Sequence, residues 1–276
     1  MTATLETAVT EYVDVKGVRL AYRRIGHRFA RKLVLLQHFT GTMDAWDPAV
    51  VNALAEVAEV FAFDNAGVGS SDGVTPDSVE AMADYAEGFI AALGLGEVDL
   101  LGFSLGGFLA QVMAARRRVA IGRMVVAGSA PAGGEEHLVE VVGKAFGQNA
   151  PDVRLPLFFT PSARSQAAGK AFIDRTLTRS HDRAPDKGDA VSDPQAKAII
   201  EWCARMDPDH LSLKSIPTAT LIVHGSDDTM FPSDNAYTMF KNMQDATLVL
   251  YPDAGHGALF QQPERFVTHV KTFLEL

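Results

Sequence analysis

The chain has 276 residues, of which 47% are hydrophobic and 21% are charged. This length and composition predict a globular protein with a sizeable core, within the range of one α/β enzyme that carries an insertion. The formal net charge is −9 at pH 7, and the two signs are interspersed apart from the basic run at 116–118. A nucleic-acid partner requires a basic surface, so the charge argues against nucleic-acid binding.

The sequence also carries few signals for special environments or bound groups. Its single cysteine, Cys203, excludes an intrachain disulfide. Residues 1–6 lack the basic and apolar regions of a secretion signal, and no apolar run is long enough to span a bilayer. We therefore expect a cytoplasmic protein with no membrane partner. No histidine or cysteine spacing typical of a metal site is present, and no phosphate-loop pattern, so neither a metal nor a cofactor is expected.

The first half of the chain predicts an N-terminal β-hairpin over residues 9–24, followed by alternating strands and helices. In chain order the predicted elements are strand 33–36, helix 46–58, strand 60–63, helix 78–93, strand 98–101, helix 105–116 and strand 124–127. This β-α-β-α-β order predicts a doubly wound, mostly parallel sheet that is covered by helices on both faces.

The alternation stops between residues 131 and 215, where no strongly apolar strand is predicted. Apolar helical pieces at 172–177 and 196–204 predict a helical cap insertion above the strand ends. Alternation then resumes with strand 219–223, helix 233–242, strand 247–251 and helix 263–274. We expect a core built from 1–130 and 216–276, with 131–215 inserted into it.

Gly102, Ser104 and Gly106 form a Gly-x-Ser-x-Gly pattern between a predicted strand and a predicted helix. The pattern alone is also found in ordinary strand–turn–helix junctions. In this context, however, the two glycines permit a sharp turn that exposes the serine hydroxyl at a helix N-terminus. The free N–H groups and the dipole of that helix end favour a developing negative charge. The context therefore favours Ser104 as a nucleophile.

Two later strands end in polar loops that carry the partners a serine nucleophile requires. Asp227 and Asp228 follow strand 219–223, and His256 follows strand 247–251. Parallel strands bring their C-terminal ends to one edge of a sheet, so these side chains should meet Ser104 there. A serine hydroxyl needs a base, and a histidine base needs an acceptor on its other ring nitrogen. Either aspartate could serve, while the other bonds its own turn.

These motifs resemble those of the α/β-hydrolase superfamily, and the resemblance covers nearly the whole chain. Within the superfamily the chain is similar to small lactonases, esterases and cofactor-free haloperoxidases. The matching segments are HFTG at 38–41, FDNAGVGSS at 63–71, GFSLG at 102–106, GSDD at 225–228 and AGHG at 254–257. The resemblance implies a nucleophile at Ser104, a base at His256 and, three residues after a glycine, an acid at Asp228 rather than Asp227.

The resemblance also implies an oxyanion hole made of two backbone N–H groups. One belongs to Leu105, the residue after the nucleophile. Matching the family's His-Gly-x pattern to His38, Phe39 and Thr40 assigns the second to Thr40. Phe39 stands where glycine is usual, which leaves this register open by one residue.

The function implied is that of a serine hydrolase that cleaves an ester, lactone or related carbonyl of a small molecule through an acyl-enzyme. The alternatives are a perhydrolase (the cofactor-free haloperoxidase reaction) and a non-catalytic receptor on the same fold. Turnover of aryl esters would separate an enzyme from a receptor. We expect Phe158, Phe159 and Trp202 to lie in the cap, with at least one facing the cavity above Ser104. The sequence does not indicate the oligomeric state.

Overall fold

The computed structural model describes residues 3–28, 31–134, 140–141, 144 and 150–275. Within these residues, no helix is both long and apolar enough to cross a membrane.

The described residues form one eight-stranded sheet in the order β1-β2-β4-β3-β5-β6-β7-β8. The strands are β1 (Glu11–Val15), β2 (Val18–Ile25), β3 (Arg31–Leu36), β4 (Ala58–Phe63), β5 (Val98–Phe103), β6 (Ile121–Ala127), β7 (Ala219–Gly225) and β8 (Ala246–Tyr251). β2 pairs antiparallel with β1 and β4, and every other neighbouring pair is parallel. The predicted hairpin and the mostly parallel sheet are confirmed. The C-terminal ends of β3 to β8 therefore share one edge.

Helices cover both faces of this sheet. The α-helices include α1 (Pro48–Leu54), α2 (Val79–Ala92), α3 (Leu105–Arg116), α4 (Arg154–Phe158), α5 (Ala163–Thr176), α6 (Asp189–Cys203), α7 (Leu211–Lys214), α8 (Ser233–Asn242), α9 (Ala258–Gln261) and α10 (Pro263–Glu275). α2, α3 and α8 contribute to the core on one face, and α1 and α10 contribute to the core on the other. This arrangement confirms the doubly wound α/β fold.

The pleat of each strand divides the buried side chains between the two cores. In β3, Val34 and Leu36 pack with α2 and α3, whereas Leu33 and Leu35 pack with α1 and α10. Successive side chains of a strand point to opposite faces, so a strand covered on both faces has apolar residues at every position. That is why residues 33–36 of β3 form a continuous apolar run.

The helix predicted over 46–58 was wrong at both ends. A 3₁₀ turn spans Met43–Ala45, and α1 begins only at Pro48, with the Asp47 carboxylate accepting the Ala49 N–H at 2.9 Å. Asp47 caps the helix and Pro48 suits its first position, which sets the start. β4 already begins at Ala58, because that residue pairs with β3 in parallel register.

α4 to α7 lie between β6 and β7, and we call residues 150–215 the helical insertion. No strand occurs there or in residues 131–134. The predicted helical pieces at 172–177 and 196–204 fall largely within α5 and α6. Residues 135–139, 142–143 and 145–149 of the predicted cap lie outside the described residues.

Candidate active site

Ser104 occupies a sharp turn between β5 and α3, with a φ of +55° that side-chain-bearing residues rarely adopt. The turn packs so closely that only glycine fits on either side. A Cβ on Gly106 would lie 1.9 Å from the Leu36 carbonyl oxygen, and one on Gly102 would lie 2.3 Å from the Gly106 carbonyl oxygen. The Gly-x-Ser-x-Gly pattern is therefore a steric requirement of this turn.

The backbone of Ser104 is held firmly in place. Its N–H donates to the Ala127 carbonyl at 3.0 Å, and its own carbonyl accepts the Ser129 hydroxyl at 2.9 Å and the Gly107 N–H at 2.8 Å. Leu105 is the first residue of α3, so its N–H belongs to the helix end that lacks partners within the helix. The strained turn thus has the supporting hydrogen bonds that keep such a conformation.

Asp228 and His256 meet, as parallel strand ends require. The His256 Nδ1 lies 2.9 Å from Asp228 Oδ2, and both side chains are buried. Asp227 is exposed, and its carboxylate accepts the hydroxyl of Ser226 at 2.6 Å. The structure therefore brings Asp228, and not Asp227, to the histidine.

Asp228 is surrounded by donors. Its Oδ1 accepts the N–H groups of Met230 at 2.9 Å and Phe231 at 3.0 Å, and its Oδ2 lies 3.3 Å from His224 Nε2 as well as beside His256. Burial by itself raises the pKa of the Asp228 carboxyl. The two histidines beside it have the larger combined effect, and they hold this pKa well below its usual range. The carboxyl is therefore ionised at neutral pH.

His256 has one ring nitrogen left over. A carboxylate can only accept, so the Nδ1 of His256 carries a proton, and in the neutral form of the ring the lone pair is on Nε2. This Nε2 is buried and has no hydrogen-bond partner among the described residues. His256 and Ser104 line the same cavity.

The loop after β3 differs from the prediction at Thr40. The Thr40 N–H donates to Gln195 Oε1 of the helical insertion at 2.6 Å, so it already has a partner. In this structure the N–H predicted as an oxyanion donor is therefore already engaged by the helical insertion. The Phe39 N–H, one residue earlier, makes no hydrogen bond to any residue that the structure describes. Phe39 also lines the cavity.

His38 shapes this loop and stays neutral. Its Nδ1 lies 2.8 Å from the Phe39 carbonyl oxygen, which can only accept, so the Nδ1 donates. Burial lowers the pKa of His38 to about 3. The ring is therefore uncharged at neutral pH.

The cavity at this edge of the sheet has a volume of about 350 Å³. Side chains from the core and from the helical insertion line it together. Its mainly apolar or uncharged lining includes His38, Phe39, Ser104, Leu157, Phe158, Met230 and His256. The described residues contain no group of three or more His, Cys, Asp or Glu side chains that could hold a metal ion.

Charged side chains of the helical insertion also line the cavity, and sequence analysis missed them. Arg154 is paired with Asp152, with Nη2 and Oδ2 2.6 Å apart. Arg183 donates to the backbone carbonyls of Thr176 and Arg179 at 2.9 and 3.2 Å. No local pattern could identify them, because their place in the cavity depends on how the insertion packs over the core.

The three aromatic residues singled out in the insertion have different surroundings. Phe158 lines the cavity, and its ring centroid lies 5.6 Å from that of His256. Phe159 packs against Phe172 inside the protein. Trp202 stacks on Phe108 of α3, with ring centroids 5.1 Å apart, away from the cavity. Of the three, Phe158 is therefore the one that faces the site.

Comparisons with known proteins agree with this architecture. The family model described as alpha/beta hydrolase fold matches residues 32–263. An alpha/beta hydrolase fold protein from Chitinophaga pinensis superimposes with a TM-score of 0.94 at 39% identity, over 99% of both chains.

Curated relatives are more distant. The chain is 26% identical to the proline iminopeptidase PfmaB of Pestalotiopsis fici, over 97% of this chain and 100% of the relative. It is 25% identical to the pimeloyl-acyl-carrier-protein methyl ester esterase of Nitrosomonas europaea, over 86% of this chain and 92% of the relative. Such relatives support a hydrolytic activity. The family model covers most of the chain and the fold agrees with it, so this protein belongs to the α/β-hydrolase fold family.

Proposed function

We propose that this protein is a serine hydrolase that cleaves an ester, lactone or related carbonyl group of a small molecule through an acyl-enzyme on Ser104. One observation carries the proposal. The 2.9 Å bond between His256 Nδ1 and Asp228 leaves Nε2 as a buried, unpartnered base in the cavity that Ser104 lines. A serine hydroxyl becomes a useful nucleophile only when such a base can take its proton.

The reaction then proceeds in two balanced steps. Ser104 Oγ bonds to the substrate carbonyl carbon as its proton passes to His256 Nε2, and the same proton then leaves with the departing oxygen or nitrogen. In the second step a water gives a proton to Nε2 and bonds to the acyl carbon. The bond between that carbon and Ser104 Oγ then breaks as Nε2 returns the proton to Oγ, which releases the acid. Asp228 remains ionised throughout and stabilises the imidazolium.

The oxyanion formed in each step needs two donors. We assign them to the Leu105 N–H, at the start of α3, and to the Phe39 N–H. Two contacts support Phe39 over Thr40: the Thr40 N–H is taken by Gln195, and the His38 carbonyl accepts the Gly41 N–H at 3.0 Å. A trans peptide points its N–H opposite to its carbonyl, so that contact directs the Phe39 N–H away from the turn.

The size and lining of the cavity support the proposed substrate class. A volume of about 350 Å³ lies at the small end of the range for small-molecule sites. Leu157, Phe158 and Met230 favour an apolar acyl or ring portion and help to exclude water during acylation. Two relatives are named for a peptide and for a methyl ester, and in both the bond cleaved adjoins a carbonyl group.

Rapid mixing with p-nitrophenyl acetate tests the proposal. We expect a burst of nitrophenolate followed by steady turnover, together with a mass increase of one acetyl group on the peptide that contains Ser104. Ser104→Ala should lose both and reduce kcat on the order of 10⁶-fold. Ser226→Ala removes an exposed hydroxyl and is the matched control, with activity retained.

Each other outcome contradicts part of the proposal. More than a few per cent of wild-type activity in folded Ser104→Ala would exclude this nucleophile. Acetylation without turnover would indicate a receptor. A deacylation that depends on added peroxide and yields a peracid would indicate a perhydrolase.

A further inference from the structure

We propose that Gln195 is a positioning residue through which the helical insertion holds the oxyanion loop in its active shape. The inference rests on the proposed function, because it concerns the loop that carries the Phe39 N–H. Gln195 lies in α6, and its side-chain oxygen accepts the Thr40 N–H at 2.6 Å. Gln195 is only 4% exposed, so water does not readily replace this bond.

The peptide group between Phe39 and Thr40 has hydrogen-bond partners on both its N–H and its carbonyl side. The carbonyl of the Phe39–Thr40 peptide accepts the His38 Nδ1–H at 2.8 Å and the Thr40 hydroxyl at 2.8 Å, while its N–H donates to Gln195. A peptide group is planar, so partners on both sides fix its orientation. Rotation of this plane would change ψ of Phe39 and φ of Thr40, so the adjoining His38–Phe39 peptide, which carries the Phe39 N–H, would lose a fixed neighbour.

The backbone conformation at Thr40 explains why these hydrogen bonds are needed. Its φ is +56°, in the left-handed region that a β-branched residue adopts only with strain. Strained backbone of this kind persists only where the surrounding structure determines it. Gln195 supplies that constraint from a helix that is 155 residues away along the chain.

The hydrogen bond from His38 to the Phe39 carbonyl does not change with pH near neutrality. Burial keeps its ring neutral, with a pKa of about 3. Its Nδ1–H therefore keeps donating to the Phe39 carbonyl without placing a charge beside the developing oxyanion. On the other side of this peptide, Gln195 supplies the hydrogen-bond acceptor from the insertion.

Two substitutions of nearly the same shape separate the hydrogen bond from packing. Gln195→Met retains the length of the side chain but removes the acceptor. Gln195→Glu retains an acceptor oxygen whether the carboxyl is ionised or protonated. Glu201→Gln, on an exposed part of α6, is the control on the same helix. Steady-state hydrolysis of p-nitrophenyl acetate gives kcat and KM for each variant.

A second readout reports the oxyanion hole without turnover. Benzeneboronic acid accepts Ser104 Oγ at boron as the hydroxyl proton passes to His256, and the resulting tetrahedral adduct places an oxygen where the oxyanion forms. We expect Gln195→Met to lower kcat about 10- to 100-fold with KM nearly unchanged, because a misplaced donor weakens only the transition state. Its inhibition constant for the boronate should rise by a similar factor. Gln195→Glu should restore both to within about threefold of wild type.

The outcomes decide the inference separately from the proposed function. An equal loss in Gln195→Met and Gln195→Glu, or no loss in either, would overturn it while an active wild-type enzyme upholds Ser104. A fall in thermal stability of Gln195→Met with kcat and boronate affinity unchanged would also overturn it, since the contact would then be purely structural. A wild-type protein that neither hydrolyses the ester nor binds the boronate would instead contradict the proposed function.

Discussion

The backbone N–H of Gly257 donates a hydrogen bond to the carbonyl oxygen of Phe158 at 2.8 Å. Gly257 directly follows His256, and Phe158 is the last residue of α4 in the helical insertion. A Cβ on Gly257 would lie 2.7 Å from the Phe158 Cβ, so a larger residue could not approach as closely. The insertion therefore contacts the very loop that carries the candidate base.

Phe158→Ala should alter substrate preference as well as stability. The ring lines the cavity and lies 5.6 Å, between ring centroids, from His256. Removing it enlarges the space for the acyl portion and loosens the contact with the histidine loop. We expect the ratio of kcat/KM between a phenylacetate-type ester and an acetate ester to change several-fold, as measured with two p-nitrophenyl esters.

Trp202→Ala is the matched control for this change. Trp202 stacks on Phe108, and its indole N–H donates to the Ala130 carbonyl at 3.3 Å, away from the cavity. Its loss should cost about 3–5 kcal/mol of unfolding free energy in urea titrations, with the ester ratio unchanged. Identical ester ratios in Phe158→Ala and wild type would show that Phe158 is only a core residue.

Asp228→Asn should reduce kcat about 10⁴-fold, because an amide can present a donor where His256 needs an acceptor. Asp227→Asn should change kcat little, since that carboxylate is exposed and bonds Ser226. Steady-state kinetics with one aryl ester compares the two variants, each of which removes one carboxylate. The reverse order of effects would contradict the assignment of Asp228.

The environment of Asp64 should make the free energy of unfolding depend on pH. Its carboxylate accepts the N–H groups of Met43 at 2.7 Å and Ser70 at 2.9 Å, yet burial raises its pKa from 3.8 to about 7. Between these values the folded state binds more protons than the unfolded state. The stability that Asp64 contributes is therefore fully present below about pH 4 and is lost as the pH rises through about 7.

Urea unfolding of wild type and Asp64→Asn from pH 4 to 8 tests this dependence. The unfolding free energy of the wild type should fall relative to that of the variant as the pH rises from about 4 to 7, because only the wild type titrates at this position. Asp227→Asn controls for the loss of an exposed carboxylate. A wild-type-minus-variant difference that is constant across this range would show that Asp64 titrates normally.

The turn at Ser104 could be predicted because its cause is local. The close approach of Gly106 to the Leu36 carbonyl leaves no room for a side chain. The Gly-x-Ser-x-Gly pattern at 102–106 therefore reveals the turn. The meeting of the strand ends that carry Asp228 and His256 could also be predicted. The alternation of strands and helices predicts a parallel sheet, and parallel strands bring their C-terminal ends to one edge.

The extent of α1, the partner of the Thr40 N–H and the lining of the cavity were decided only by tertiary structure. The apolar spacing that predicted a helix over 46–58 continues into β4, and only pairing with β3 shows where the helix must end. Thr40 and Gln195 are 155 residues apart, so no local pattern reveals that their hydrogen bond removes one N–H from the candidate oxyanion hole. Local sterics and periodicity act over a few residues, whereas the partner of a backbone N–H depends on how distant elements pack.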